Sequence, residues 1–156
     1  MFKIYWHCLV YMIFTGFIGL AQSNAELEVK ETINTFFDGF HQRDTTIIRS
    51  VADKEMVLQT MGRDKEGRNR LRTDPFEQFL ISIASIPDSL NFKEELLDIR
   101  IQIDGPMAHA WTPYNFWIDQ KLSHCGVNSF QLFNNGTMWK IIYLADTRRK
   151  DNCTIK

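Results

Sequence analysis

Six side chains in the C-terminal half of the chain could together line a polar pocket with an aromatic wall: His109, Trp111, Asn115, His124, Asn128 and Tyr143. A neutral imidazole takes up or releases a proton near neutral pH, and a Tyr or Asn side chain can hydrogen-bond a developing oxyanion. His124, His109 and Tyr143 are therefore candidate catalytic residues for proton transfer on an aromatic or polycyclic substrate. The competing interpretation is that His124 and Tyr143 only satisfy hydrogen bonds within a sheet.

The register of one predicted hairpin decides this placement. The dipeptide Asn135-Gly136 suits a type I′ turn between two apolar segments that lie between Ser123 and Thr147. With these two residues as the turn, Asn128 pairs with Tyr143, and paired side chains share one face. Nearer the turn, the same face carries apolar side chains: Phe130, Leu132, Trp139 and Ile141. The pattern predicts a core that opens into a polar pocket.

A second turn, at Asp119-Gln120, sets the neighbouring strand. A two-residue turn there pairs Asn115 with His124. This register adds four side chains to the pocket face: His109, Trp111, Asn115 and Trp117. A shift by one residue would instead bring in Tyr114 and Phe116.

Other groups that could do chemistry have simpler interpretations. The histidines show no HxH or HExxH spacing and the cysteines no CxxC spacing, so we expect neither a metal nor a cofactor. Asp38 and His41 lie three apart on the first predicted helix and could edge the pocket, but such pairs are usually solvated. The basic residues between Arg63 and Arg72 could receive an anionic ligand, although interleaved acidic residues favour a solvated loop.

The first 23 residues read as an export signal, which leaves a single domain at 24–156. An apolar run from Ile4 to Leu20 is followed by Ala21-Gln22-Ser23, small residues spaced as at a cleavage site. A retained membrane anchor is the alternative. We expect an exported protein, periplasmic or secreted, with no membrane contact after cleavage. The net charge of −1 argues against a nucleic-acid or anionic-membrane binder.

Removal of the signal leaves two cysteines, Cys125 and Cys153, in an oxidising compartment. They permit one disulfide between the C-terminal tail and the sheet. Cys125 faces Asp146 in the predicted register, so the tail must fold back before the two Cα atoms can come within about 7 Å. Two separate thiols are the alternative.

Hydrophobic spacing predicts the elements that position these residues. Glu26–Gln42 is a helix with a phenylalanine stripe, Asp44 caps a short second helix, and a capping box at Asp74–Glu77 begins a third. Strands are predicted at Met56–Met61, Leu97–Ile103 and Met107–Ile118 and in both arms of the final hairpin. The charged segment from Arg63 to Arg72 is predicted to be a loop with at most a short edge strand. Helices on one face of a mainly antiparallel sheet make an α+β fold.

This order of elements resembles the nuclear transport factor 2-like superfamily, particularly its secreted SnoaL-like or lumazine-binding-type members. The likeness covers roughly Glu26 to Thr147. It is carried by the phenylalanine-rich first helix with the short helix after it, by 110–114 with Phe116, by His124-Cys125-Gly126, and by 136–141. The resemblance implies a cone, in which a strongly bent sheet wraps the long first helix, with a pocket at the open end and frequent dimerisation. It carries over no catalytic residue.

Two functions follow as expectations. The favoured one is a non-catalytic domain that binds a small hydrophobic or aromatic molecule, or a partner, in the cone. The alternative is a cofactor-free isomerase, dehydratase or cyclase that uses a pocket histidine as acid and base. The outer face of the hairpin carries Val127, Ile142 and Leu144, which predicts a homodimer through this face.

Overall fold

The computed structural model describes residues 24–154, and the predicted signal at 1–23 lies outside that part of the chain. This part of the chain contains three helices: α1 (24–42), α2 (Thr45–Val51) and α3 (Phe76–Ala84). Seven strands form one sheet: β1 (Ala52–Arg63), β2 (Asn69–Pro75), β3 (Phe92–Leu96), β4 (Arg100–Asp104), β5 (Met107–Ile118), β6 (Lys121–Asn134) and β7 (Trp139–Thr147). Among residues 24–154, no helix is both long and apolar enough to cross a membrane.

The sheet has the strand order β2-β1-β7-β6-β5-β3, and β4 also pairs with β5. All neighbouring strands are antiparallel except β1 and β7, which run parallel. Helices with a large, mainly antiparallel sheet confirm the predicted α+β cone. We call the sheet face that carries Phe130 the inner face, because it packs on α1, and the opposite one the outer face.

The phenylalanine stripe of α1 forms the centre of the core. Phe36 and Phe37 both make edge contacts with Phe130, at 6.0 Å between ring centroids. Trp139 and Ile141 are buried in the same core, as expected. Phe40 lies further along the helix and contacts another set of rings: Phe79, Phe92 and Phe116. These rings occupy the interior of the cone.

The structure confirms the predicted N-cap of α2 and corrects the predicted N-cap of α3. Asp44 caps α2, and its carboxylate accepts hydrogen bonds from the Thr46 and Ile47 N–H groups, as predicted. The prediction of a capping box at Asp74–Glu77 is wrong, because Pro75 is the N-cap of α3 and makes no side-chain hydrogen bond to the helix. Strand β2 extends to Pro75 and holds Asp74 beside Arg72, at 2.9 Å.

The hairpin between β6 and β7 exists, but its predicted register is wrong. The connection has four residues rather than two: Asn134 pairs with Trp139, and the Asn135 side-chain oxygen accepts from the Thr137 and Met138 N–H groups. A bulge then shifts the pairing again, after Leu132. Asn128 consequently faces Asp146 instead of Tyr143, which lies opposite Gln131 on the outer face.

The turn between β5 and β6 is the predicted two-residue turn at Asp119-Gln120, and both residues have positive φ. A bulge directly after it moves the register by one residue, so that Phe116 rather than Asn115 faces His124. The alternative pairing foreseen from the sequence is therefore the one present. Even-numbered residues of β5 face inward, and odd-numbered ones face outward.

Candidate functional site

A row of polar side chains crosses the inner face of the sheet from the edge strand β3 to β1. We call it the polar row, and it consists of Glu94 on β3, Tyr114 on β5, Asn128 on β6, Asp146 on β7 and Thr60 on β1. The pairing of the strands brings these residues together, since Asn128 faces Asp146 and Asp146 faces Thr60.

Glu94 is the group of the row whose pKa is shifted into the neutral range. Its carboxylate accepts a hydrogen bond of 2.7 Å from the amide of Asn128, a residue that is itself buried. Burial raises the pKa of Glu94 to about 7, and the neighbouring carboxylate of Asp146 acts in the same direction. A carboxyl group with this pKa can serve as either donor or acceptor at neutral pH.

Asp146 and its partners form the other half of the row. The Asp146 carboxylate accepts hydrogen bonds from the Thr60 hydroxyl at 2.6 Å and from the Arg148 guanidinium at 2.7 Å. The Tyr114 hydroxyl donates to the Thr147 carbonyl oxygen at 2.9 Å. Burial is the main cause that raises the pKa of Tyr114, so this hydroxyl stays protonated.

Gly126 allows the sheet to close tightly beside Tyr114. A Cβ atom at this position would lie 1.8 Å from the carbonyl oxygen of Thr147, which is the oxygen that accepts from Tyr114. Two real atoms cannot approach so closely. Only glycine therefore permits this approach of β6 to the end of β7.

An open groove of about 670 Å³ reaches Glu94 between α1 and the chain around 96–99, and we call it the α1 groove. Its lining combines apolar and polar groups: Lys30, Asn34, Phe37, Asp38, His41, Glu94, Leu96, Leu97, Asp98 and Ile99. The Glu94 N–H donates to Nε2 of His41 at 3.0 Å, and the His41 ring stacks on Phe37. Burial, followed by the charge of Lys93, lowers the pKa of His41, so the imidazole is neutral at pH 7.

Of the six side chains predicted to share a pocket, the structure brings only His124 and Asn128 to the inner face. His124 stacks on Phe116, at 4.8 Å between centroids, and its Nδ1 lies 3.2 Å from the Ser123 hydroxyl. Burial is the main cause that lowers the pKa of His124, and Arg148 adds to it.

The other four lie on the outer face, away from any common pocket. His109 hydrogen-bonds Ser129, and the Tyr143 hydroxyl donates to Gln59. Trp111 is exposed over 43% of its surface. Asn115 is fully buried, but under the C-terminal tail, where its amide donates to the Thr154 carbonyl oxygen. Trp117, also predicted to line the pocket, instead bonds Glu95 on the outer face.

The tail is fixed to the outer face by a disulfide between Cys125 and Cys153, whose Cα atoms are 5.7 Å apart. Backbone hydrogen bonds in both directions join Cys125 to Arg149, at 2.9 Å. The chain therefore folds back after β7, as a disulfide requires.

Sequence reasoning missed Glu94, Tyr114 and Asp146 as site residues. Tyr114 was present in the alternative register, which placed it in the pocket. Glu94 belongs to a strand that was not predicted, and Asp146 turns inward only because of the bulge in the final hairpin. Within residues 24–154, no group of three or more His, Cys, Asp or Glu side chains is arranged to hold a metal ion.

No protein-family model matches the chain, and no curated protein matches it. Several solved structures do. A nuclear transport factor 2-like protein of unknown function from Shewanella baltica superposes with a TM-score of 0.59 at 15% identity, over 83% of this chain and 97% of that one. A Streptomyces avermitilis protein, provisionally described as a dehydratase of the same family, gives 0.61 at 14% identity, over 83% and 98%.

A third similar structure comes from Nostoc punctiforme and is described as a protein of unknown function with a cystatin-like fold. Its TM-score is 0.62 at 12% identity, over 81% of this chain and 92% of that one. Identities this low establish a common fold and leave function open. At the level of the fold, the resemblance inferred from the sequence is confirmed.

Proposed function

We propose that this chain, which has the nuclear transport factor 2-like fold, is a binding protein that takes a small hydrophobic or aromatic molecule into the α1 groove. The observation that carries the proposal is Glu94, a residue that lines the groove and whose carboxyl group has a pKa of about 7. Apolar side chains such as Phe37 and Leu96 line the groove beside this anchor, together with polar side chains such as Lys30 and His41. Ligand sites commonly combine apolar walls with a few placed polar groups.

The inside of the cone is a poorer candidate for the ligand. The rings of Phe36, Phe37 and Phe130 pack against one another there, and Phe40 continues the cluster toward Phe92. A ligand in that position would have to displace packed aromatic contacts. The proposed site is therefore the groove at the rim and not the centre of the cone.

Native mass spectrometry of the purified protein tests this function. We expect a bound small molecule in the wild type and its loss in Glu94→Gln, because the amide can no longer match both protonation states of the anchor. Glu95→Gln is the matched control, since Glu95 is the adjacent residue and its carboxylate faces Trp117 on the outer face. Equal retention of the ligand by Glu94→Gln and Glu95→Gln would contradict the proposal.

A cofactor-free isomerase, dehydratase or cyclase is the second candidate. A carboxyl group of pKa about 7 suits a general acid or base, and this observation favours Glu94 over the histidines. His109 and Tyr143 are no longer candidate catalytic residues, because both lie on the outer face. Incubation of the identified ligand with the protein in deuterated water distinguishes the binding function from the enzymatic one. Deuterium uptake that depends on Glu94 indicates catalysis, and its absence indicates binding alone.

We also propose that the protein is exported and forms a homodimer through the outer face, although without Leu144, one of the three residues first expected there. Leu144 is buried in the core, so it cannot contribute to a contact surface. Ile142 is exposed, and three further apolar side chains of the outer face are exposed as well: Met107, Trp111 and Phe133. Met107 pairs directly with Phe133 on the neighbouring strand, so these two exposed apolar side chains lie side by side.

Light scattering at micromolar concentration should show a dimer that the double change Trp111→Ser/Phe133→Ser converts to monomer. The matched control is Ile81→Ser, which removes an even more exposed apolar side chain from α3. It should leave the dimer intact. A wild-type protein that is monomeric throughout this range would disprove the proposed interface.

A further inference from the structure

A second groove lies at the opposite end of the polar row, between the β1–β2 hairpin and the segment that follows β7. Its open volume is about 1170 Å³. Six basic side chains line it: Arg63, Arg70, Arg72, Arg148, Arg149 and Lys150. Of the residues that the structure describes, only two acidic ones do so, Asp64 and Asp151. We call it the basic groove.

The local ion pairs leave part of this positive charge uncompensated. Asp64 binds Arg68 and Arg70, both at 2.9 Å. Arg72 and Arg148 are paired with carboxylates of their own. Within residues 24–154, three of the lining cations form no ion pair: Arg63, Arg149 and Lys150. Asp151 alone cannot balance them.

Both walls of the groove are fixed by hydrogen bonds before any ligand arrives. Asp64 accepts the N–H groups of Glu66 and Arg68 and so closes the β1–β2 turn. On the other side, the Arg148 N–H donates to the Met61 carbonyl oxygen at 2.9 Å. The disulfide at Cys125 then holds the residues beyond it. This preorganisation distinguishes the groove from the solvated loop expected from the sequence.

The lining also includes apolar and aromatic surface. Met61 and Leu71 are exposed over 41% and 59% of their surfaces, and both line the groove. The imidazole of His124 lines it as well and is backed by the ring of Phe116. A lowered pKa keeps His124 neutral at pH 7, and the charges of Arg148 and Lys150 contribute to that lowering after burial. The groove thus combines a positive electrostatic potential with apolar contact surface.

We propose that the basic groove is a binding site for an organic anion, a molecule with one carboxylate, phosphate or sulfonate group on an apolar or aromatic body. The anionic group would contact Arg63 and Lys150, one from each wall, and the body would lie along Met61 and Leu71. This site is separate from the α1 groove, because the two share no lining residue. Its existence does not depend on the function proposed for Glu94.

Anilinonaphthalene sulfonate is a suitable probe, since it joins a sulfonate to an aromatic body. Its uncharged counterpart, phenylnaphthylamine, has the same rings without the sulfonate. Fluorescence titration of the folded wild type should show tighter binding of the sulfonate, weakened by added salt. In Arg63→Gln/Lys150→Gln, we expect the affinity for the sulfonate to fall about tenfold, with the neutral dye unaffected.

Lys54→Gln/Lys121→Gln is the matched control, because it removes the same net charge from exposed positions outside the groove. Its sulfonate affinity should stay within about twofold of the wild type. Displacement of the dye by benzoate or by phenyl phosphate would then show which anionic group fits better. The proposal fails if the two double variants weaken the sulfonate equally, or if both dyes bind the wild type with equal affinity.

Discussion

Chemical denaturation of the Cys125→Ser/Cys153→Ser variant is expected to show a free energy of unfolding about 3.5 kcal/mol below that of the wild type. The disulfide joins residues 28 positions apart. A cross-link that closes a loop of this length restricts the unfolded chain, and the chain entropy removed by that restriction accounts for the magnitude. The stability of a domain of this size is itself only about 5–15 kcal/mol.

The folded state should also lose order when the bond is removed. The tail covers Asn115, whose amide donates to the Thr154 carbonyl oxygen at 2.8 Å. Asn115 is fully buried in the folded chain. Release of the tail would expose this amide and would loosen Arg149, which lines the basic groove. Hydrogen exchange of residues 149–154 should therefore rise more than that of the sheet.

A reducing agent provides the control for the serine variant. It should destabilise the wild type by a similar amount, and it should leave the stability of the double-serine variant unchanged. Equal unfolding midpoints for the oxidised wild type and the variant would show that the tail contributes nothing to stability. That result would contradict the role given to the disulfide.

The sequence carries enough information for the order of elements but not for the face on which each residue lies. The stripe of Phe36, Phe37 and Phe40 specifies α1, because aromatic residues at helical spacing must be buried. The two-residue turn at Asp119-Gln120 is also predictable. A bulge on β6, directly after this turn, nevertheless shifts the pairing by one residue. The residues of β5 that precede Trp117 therefore lie on the face opposite to the predicted one. Bulges have no reliable signature in a single sequence, so His109, Trp111 and Asn115 are predicted on the wrong side.

Glu94 was missed for a related reason. Strand β3 has five residues, Phe92–Leu96, and three of them are charged. A pattern of that kind predicts a solvated loop, since strands are usually recognised by alternating apolar residues. Tertiary structure overrides the pattern because β3 pairs with β5 and turns Glu94 toward Asn128. The residue with the clearest functional signature therefore became visible only in the folded chain.

The second large effect that we expect is a dependence of stability on pH, and Glu94 is its cause. The pKa of Glu94 rises from its ordinary value of 4.5 to about 7 in the folded protein, chiefly because the carboxyl group is buried. The folded state thus binds this proton more tightly than the unfolded chain does. The contribution of Glu94 to stability is fully present below pH 4.5 and is lost as the pH rises through about 7.

Glu94→Gln removes this dependence while keeping a side chain that can accept the Asn128 hydrogen bond. Because each tenfold difference in proton affinity between the folded and unfolded chains is worth about 1.4 kcal/mol, the wild type should lose about 3 kcal/mol relative to the variant between pH 4.5 and a pH above 7. The variant should accordingly be the more stable protein in alkaline solution. Urea unfolding of both proteins across this pH range measures the difference, and Glu95→Gln should follow the wild type. A constant difference between wild type and Glu94→Gln at every pH would show that Glu94 is not a buried proton-binding group, and the anchor proposed for the α1 groove would fail with it.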